Sequence, residues 1–161
     1  MPLWGTTGEF EGIGNAKNHC AATAAFNAVY YYRARNKNNS LFVNGSRADT
    51  FKALHSKIGN GPVLFPTLQK GLKAYVSEAG SAFSTVADKA YETLKSQIDG
   101  GCMCILLLSA GLTEWHYVNA IGYREYESGE KFVRVIDNWY NNSNVYIKSE
   151  NIVKCYKAHI S

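Results

Sequence analysis

The order of hydrophobic patterns along this chain constrains its fold more strongly than any other feature. Apolar side chains recur at helical spacing in the early segments 19–36, 46–58, 66–79 and 88–98. A weak strand-like run, 82–86, lies among them. Later residues form the strand-like runs 102–108, 115–123, 131–136, 144–148 and 152–160. Because helices come first and strands later, without β–α alternation, the sequence predicts an α+β fold rather than a doubly wound parallel sheet.

Glycine and proline mark the ends of several segments. Pro66 opens the third helical segment, and Gly100 and Gly101 close the fourth. Residues 1–17 are rich in Gly, Thr and Asn and show no period, so we expect an irregular arm that leads into the first helix. The chain has neither an internal repeat nor a linker-like stretch. We therefore expect residues 1–161 to form a single domain.

The composition is that of a folded protein. Of the 161 residues, 46% are hydrophobic, which is enough for a core and argues against disorder. The formal charge is +4, but Lys and Arg form no run, so we expect no nucleic-acid binding. The apolar run 103–108 is too short to cross a bilayer. Residues 1–17 lack the basic start and apolar middle of a signal peptide, which is typical of a cytoplasmic protein or of one whose leader has been removed.

Three of the four cysteines fit a structural interpretation. Cys102 and Cys104 are two residues apart in one strand-like run, and Cys155 lies in another, so we interpret all three as buried thiols. A domain of this size can be stable without disulfide bonds. A zinc site needs clustered Cys or His at loop spacing. The chain has no such cluster, so we expect no metal, and nothing in the sequence implies an organic cofactor.

Cys20 is different, because it stands at the start of the first helical segment. Asn18 suits the N-cap position, which would place Cys20 in the first turn. A thiol there lies at the positive end of the helix dipole, beside unpaired N–H groups, so its thiolate is favoured. His116 stands at the start of the run 115–123, and an imidazole brought beside the thiol can hold its proton. Together they predict a cysteine nucleophile.

A third element follows the run 131–136, where the chain reads Asp137-Asn138-Trp139. The connection 125–131 is short enough for an antiparallel hairpin with the strand that begins near His116. We predict that Asp137, or alternatively Asn138, accepts the second N–H of the imidazole and fixes its tautomer. Trp139 would shield this hydrogen bond from water.

At these three places the chain resembles the papain-like cysteine peptidases, and most closely their small bacterial branch, which includes the double-glycine leader peptidases that process bacteriocins. That branch has Cys at the start of its first helix, then His followed by an aromatic residue, apolar residues and Gly-Tyr, then Asp-Pro-Trp at a strand end. The corresponding residues here are Cys20, His116-Tyr117-Val118 with Gly122-Tyr123, and Asp137-Asn138-Trp139.

The resemblance implies a papain-like arrangement. A helical N-terminal half would carry Cys20, an antiparallel sheet in the C-terminal half would carry His116 and Asp137, and a peptide substrate would lie in a cleft between the halves. The implied activity is hydrolysis of a peptide or amide bond. The Cys20 thiolate attacks the carbonyl carbon, His116 protonates the leaving amine, Asp137 orients His116, and water resolves the thioester.

The chain departs from that family next to its nucleophile. The family has Cys-Gly where this chain has Cys20-Ala21, and a Gln six residues before the nucleophile where this chain has Gly14. Because that Gln donates to the oxyanion, Asn15 or Asn18 becomes the candidate donor, together with the backbone N–H of Cys20.

Alternatives to a hydrolase stay open. An amine or thiol in place of water would make the same site an acyltransferase or a non-peptide amidase. A non-catalytic papain-like module that binds a peptide in the same cleft is the alternative outside enzymology, and the missing Gln motivates it. His19 is adjacent to Cys20, but neighbouring helical residues point about 100° apart, so His19 is poorly placed to act as the base.

Overall fold

The structure, a computed structural model, describes residues 4–16, 19–60, 63–88, 90–109 and 115–161. Within these ranges it contains both helices and strands, and the predicted α+β class is confirmed. The helices are α1 (Thr7–Phe10), α2 (Cys20–Asn36), α3 (Arg47–Ile58), α4 (Phe65–Glu78) and α5 (Tyr91–Asp99). The strands are β1 (Phe83–Ser84), β2 (Ala87–Asp88), β3 (Met103–Ser109), β4 (Trp115–Glu125), β5 (Lys131–Ile136), β6 (Val145–Lys148) and β7 (Ile152–Ile160).

The strands form an antiparallel sheet with β3 and β4 in its middle. The hydrogen-bonded order is β1-β7-β3-β4-β5-β6, and β2 also pairs with β7. Strands β4 and β5 pair as the predicted hairpin, with Asn119 opposite Ile136. The start of β4 and the end of β5 therefore lie at the same end of the sheet.

The two faces of the sheet carry separate hydrophobic cores. Tyr117 and Ile136 belong to the larger core, which includes the buried residues of α2, α3 and α4. Val118 and Val135 belong to a smaller core that includes Leu94 of α5. This division follows from strand geometry, because successive side chains point to opposite faces.

Helix α2 lies at the centre of the larger core. Every residue from Ala21 to Val29 is buried, and alanine occupies five of these positions. A helix that is apolar on all sides is buried on all sides, and small side chains allow close approach by its neighbours. The helix contacts both α3 and β4.

The direction of α2 across the sheet follows from its hydrogen bonds. The amide of Asn119, near the start of β4, donates to the Ala24 carbonyl over 2.9 Å. Near the other end of the helix, the Tyr32 hydroxyl accepts from the N–H of Met103 over 3.2 Å. Met103 begins β3, which runs antiparallel to β4 with Cys104 opposite Ala120, so it lies further along β4 than Asn119. The N-terminus of α2 therefore lies at the end of the sheet where β4 begins.

The N-terminal arm is more ordered than the sequence predicts. We expected residues 1–17 to be irregular, but α1 forms within them and a 3-10 turn spans Ile13–Asn15. Thr6 caps α1 through its hydroxyl. Phe10 is fully buried and stacks on Phe51 of α3, with ring centroids 4.2 Å apart. A short segment without periodicity can still add one large side chain to a core, which periodicity does not reveal.

Two predicted boundaries were wrong, and both involve Asp88. The expected strand 82–86 is divided into β1 and β2, and the fourth helix begins at Tyr91 rather than at residue 88. Asp88 pairs with Cys155 in the sheet. Its carboxylate also accepts hydrogen bonds from the N–H of Ala90 and from the Thr93 hydroxyl. Asp88 thus stabilises the N-terminus of α5 although it is not part of that helix.

The cysteines follow the prediction except for Cys102. Cys104 and Cys155 are buried, as predicted, whereas Cys102 precedes β3 and is only partly buried. All four thiols are free. No helix in the described ranges has both the length and the apolarity that a membrane span requires.

The contact between α3 and α4 depends on Gly71, which gives the first prediction. A Cβ atom there would lie 2.6 Å from Ile58 Cγ1 and 2.8 Å from the Lys57 carbonyl oxygen. Because main chain cannot move aside easily, we expect Gly71→Ala to lower the free energy of unfolding by about 1–3 kcal/mol in urea titrations.

Gly8→Ala is the matched control for this prediction. Gly8 is also helical, but a Cβ atom there meets nothing nearer than 3.9 Å. Replacing an open helical glycine by alanine is neutral or stabilising by up to about 1 kcal/mol. Equal stability of Gly71→Ala and the wild type would contradict the packing described here.

Candidate active site

Cys20 is the first residue of α2 and is half-buried. His19 occupies the N-cap position and makes no capping hydrogen bond through its side chain. The predicted N-cap, Asn18, lies outside the described residues. A thiol in the first turn of a 17-residue helix lies at the positive end of the helix dipole, where negative charge is stabilised.

His19 is turned towards the N-terminal arm. Only 2% of its surface is exposed, and its Nε2 atom donates to the Thr7 carbonyl over 2.8 Å. Its Nδ1 atom is buried without a hydrogen-bond partner among the described residues, 3.9 Å from a carboxylate oxygen of Glu11. His19 thus fastens α1 to the start of α2.

His116 is the second residue of β4 and is buried, with 7% of its surface exposed. Its Nε2 atom lies 2.5 Å from the main-chain carbonyl oxygen of Asp137. Because a carbonyl oxygen only accepts, Nε2 carries the hydrogen, and Nδ1 is the unprotonated nitrogen of the neutral ring. Burial lowers the pKa of His116 below 6.5, although the hydrogen bond to Asp137 and the charge of Asp137 oppose that shift.

Trp139 covers one face of the His116 ring. The two ring centroids are 4.0 Å apart and the ring planes differ by 12°. The indole is itself 54% exposed, so it separates the imidazole from solvent on that side. We predicted that Trp139 shields a hydrogen bond from the ring to the Asp137 or Asn138 side chain; it covers instead a ring that bonds to the Asp137 main chain.

The Asp137 side chain has a different partner from the one we predicted. Its Oδ1 atom accepts from the N–H groups of Trp139 and Tyr140, over 2.9 and 3.0 Å. The carboxylate thus closes the turn after β5, as Asp often does. The imidazole N–H that we expected to bond to this carboxylate bonds instead to the main-chain carbonyl of the same residue.

Asn138 is fully buried and has a positive φ of 68°. Its side-chain amide donates to the Tyr117 carbonyl over 2.8 Å, and its Oδ1 accepts from Asn27 of α2 over 2.7 Å. These bonds occupy the amide that we considered as the alternative acceptor for the imidazole. Asn138 therefore joins β4, the turn after β5 and α2.

The elements that carry Cys20 and His116 share one end of the sheet, but the structure, in the ranges that it describes, shows no direct bond between the two side chains. Tyr117 is adjacent to His116 and faces the core that includes α2. The Cys20 side chain packs against the same core, and burial, first, together with the charges of Tyr156 and Cys20, raises the pKa of the Tyr117 phenol. Among the described residues, no hydrogen bond joins Cys20 to His116.

Strand alternation explains this separation. His116 is opposite Leu108 in the sheet, and Leu108 packs against the smaller core with Val118. Side chains that alternate along a strand place His116 on the face away from α2. The structure therefore brings His116, the Asp137 carbonyl and Trp139 together, and leaves Cys20 packed against the core on the other face of the sheet.

The oxyanion candidates receive little support from their contacts. Asn15 is exposed, has a positive φ of 64°, and accepts through its main-chain carbonyl from the Asn60 amide. No hydrogen bond from its side chain towards α2 occurs in the part of the chain that is described. Asn18 lies outside that part.

Asn27 is the polar residue of this region that sequence reasoning missed. It lies seven residues after Cys20, which places it two turns along the same helical face. An asparagine in a run of buried alanines needs hydrogen-bond partners, and that requirement was a usable signal. The positive φ of Asn138, by contrast, has no signature in the sequence beyond the general tolerance of asparagine for that conformation.

Among the described residues, no group of three His, Cys, Asp or Glu side chains comes together as a metal site. No family model matches the sequence, and no curated protein matches it.

The burial of His116 predicts a pH dependence of stability. The pKa of His116 is lowered in the folded protein, so as the pH falls below 6.5 the imidazole is protonated in the unfolded chain before it is protonated in the folded protein. His116 thus contributes stability that is present above pH 6.5 and is lost as the pH falls through the folded pKa. We expect His116→Gln to flatten the decline in unfolding free energy between about pH 7 and pH 5, measured by urea titration.

His159→Gln tests the same effect at a second site. The pKa of His159 is also lowered, first by burial and then by Lys157 and Arg35, so this variant removes a second contribution without touching β4. An identical pH profile of stability in His116→Gln and the wild type would contradict the burial of a neutral imidazole.

Proposed function

We propose that the protein is a cysteine-nucleophile hydrolase that cleaves a peptide or amide bond with Cys20 and His116. The observation that carries the proposal is the shared position of two elements. The N-terminus of α2, which begins with Cys20, and the start of β4, which bears His116, lie at one end of the sheet. The helix dipole favours the thiolate, and a neighbouring strand supplies the imidazole.

The tautomer of His116 suits the role of a base. The Asp137 carbonyl holds the Nε2 hydrogen, which leaves the lone pair on Nδ1 to take the thiol proton. The thiolate then attacks the carbonyl carbon and forms a C–S bond. The imidazolium returns the proton to the nitrogen of the leaving amine as the C–N bond breaks. Water, deprotonated by His116, then resolves the thioester to an acid and restores the thiol.

This mechanism requires one movement. In the structure, His116 faces the side of the sheet away from α2, so Nδ1 and the thiol must come within hydrogen-bond distance in the reacting state. His116 is the second residue of its strand, where few ladder bonds constrain the main chain. We expect this movement to occur in the free protein as well, so that the pair can be detected without substrate.

A papain-like arrangement is part of the same proposal. The Cys20 helix precedes an antiparallel sheet, His116 begins one of its strands, and Asp137-Asn138-Trp139 ends the neighbouring strand. This order and this stacking of Trp139 on His116 agree with the arrangement that the sequence motifs imply. Water as the acceptor gives a hydrolase, and an amine or thiol acceptor would give an acyltransferase at the same residues.

A non-catalytic peptide-binding module is the second candidate. The observation that favours it is that Cys20 packs against the larger core, whereas strand alternation places His116 on the face of the smaller core. A binding module needs no thiolate–imidazolium pair. It also needs no oxyanion donor in place of the glutamine that the family has at the position of Gly14. The two candidates differ in the reactivity of Cys20.

The third prediction therefore concerns alkylation of Cys20 by iodoacetamide, located by mass spectrometry. If the pair forms, Cys20 reacts at a pH well below 8.5, the value for a free thiol, and His116→Ala removes that reactivity. His159→Ala is the matched control, since it removes a histidine distant in sequence whose pKa is also lowered. An ordinary thiol profile in both the wild type and His116→Ala would exclude the hydrolase and favour the binding module.

The fourth prediction separates the two polar groups of Asp137. The carbonyl of Asp137 bonds to His116, and its carboxylate closes the turn. Asp137→Asn keeps an acceptor oxygen in the side chain, so we expect iodoacetamide to alkylate Cys20 in this variant at a rate within a few fold of the wild-type rate. Asp137→Ala loses two hydrogen bonds of the turn, together worth about 1–3 kcal/mol, and should react more slowly. A loss in Asp137→Asn as large as in His116→Ala would mean that the carboxylate charge itself acts on the ring.

A further inference from the structure

Asn27 is a fully buried amide in the middle of the alanine-rich helix α2. Its Oδ1 accepts from the Gly5 N–H over 2.7 Å, and its Nδ2 donates to the Gly5 carbonyl over 3.0 Å and to Asn138 Oδ1 over 2.7 Å. Both hydrogens of the amide are therefore used. The side chain fastens the N-terminal arm on one side and the turn after β5 on the other.

The turn after β5 is held at several atoms around Asn138. Besides the bond from Asn27, its amide donates to the Tyr117 carbonyl, and its main-chain carbonyl accepts from the Thr7 N–H over 2.7 Å. Asn138 also adopts a positive φ, which costs energy in a residue other than glycine and persists only where its surroundings fix it. These contacts fix the peptide that precedes Asn138, whose carbonyl is the acceptor for His116.

We propose that Asn27 is a positioning residue for the imidazole of His116. It acts through Asn138, which fixes the Asp137 carbonyl and thereby the Nε2–H tautomer of the ring. The inference rests on the proposed function, because a fixed tautomer matters only if Nδ1 takes the Cys20 proton. It gives one helix two tasks, since α2 carries the nucleophile at its first residue and orients the base from its eighth.

A role in stability alone explains these hydrogen bonds less well than a role in positioning His116. A buried amide pair contributes little net free energy compared with apolar side chains of the same shape, because each amide must first lose its water. What a fully satisfied buried network supplies is a single geometry. In this protein the network fixes the position of the Asp137 carbonyl oxygen, which accepts the hydrogen bond from the His116 ring.

Two variants break the link at different points. Asn27→Ser removes the donor to Asn138 from the helix side. Asn138→Gly removes the acceptor while keeping the backbone, because glycine adopts a positive φ without strain. Asn44→Gly is the matched control, since Asn44 also has a positive φ, of 52°, but lies exposed in the segment between α2 and α3.

The readout is the tautomer of His116, measured by NMR of histidine labelled with ¹⁵N in the ring. We expect the wild type and Asn44→Gly to hold the neutral ring as Nε2–H alone. In Asn27→Ser and Asn138→Gly we expect a mixture that includes Nδ1–H, together with a loss of roughly tenfold or more in the rate of Cys20 alkylation at about pH 6.

Each outcome decides the proposal. An unchanged tautomer in either folded variant would overturn it, and if Asn27→Ser does not fold, Asn138→Gly decides alone. Failure of both variants to fold would also overturn it, because the network would then serve stability. If alkylation in the wild type does not depend on His116, the proposed function fails independently, whereas a His116-dependent thiol with an unchanged tautomer in the variants rejects only the role of Asn27.

Discussion

The packing of helix α2 against the sheet is the contact on which the rest of this structure depends. Its alanines allow the sheet, α3 and the N-terminal arm to approach one helix closely. Because Ala24 lies against Asn119 and Tyr32 against Met103, the direction of the helix is fixed along β4. That direction determines that Cys20, at the N-terminus, comes to the end of the sheet where β4 begins and β5 ends.

Much of the fold could be predicted because its signals are local. The hydrophobic period located α2 to within one residue, and the alternating run located β5 without error. The arm could not be predicted in this way, because α1 is only four residues long and its contribution to the core is a single buried phenylalanine. Asp88 was misassigned because a residue that pairs in a strand and also holds the next helix has no distinct pattern.

The candidate site shows a different limit of sequence reasoning. The sequence pointed to the segment that follows β5, and in the structure the Asp137 carbonyl bonds to the His116 ring and Trp139 stacks on it. It did not indicate which atom of Asp137 would bind the ring, because a carbonyl and a carboxylate of one residue are indistinguishable in a motif. Nor did it reveal the face of β4 on which His116 lies, since a one-residue change of register exchanges the two faces.

The central claim is that Cys20 and His116 act on one another, and the pKa of His116 tests it most directly. NMR titration of the His116 ring in the wild type and in Cys20→Ala isolates the effect of the thiol. A thiolate that pairs with the imidazolium favours the charged ring, so the account predicts a higher pKa of His116 in the wild type than in Cys20→Ala. Equal pKa values in the two proteins would show that the groups do not interact, and would contradict the account.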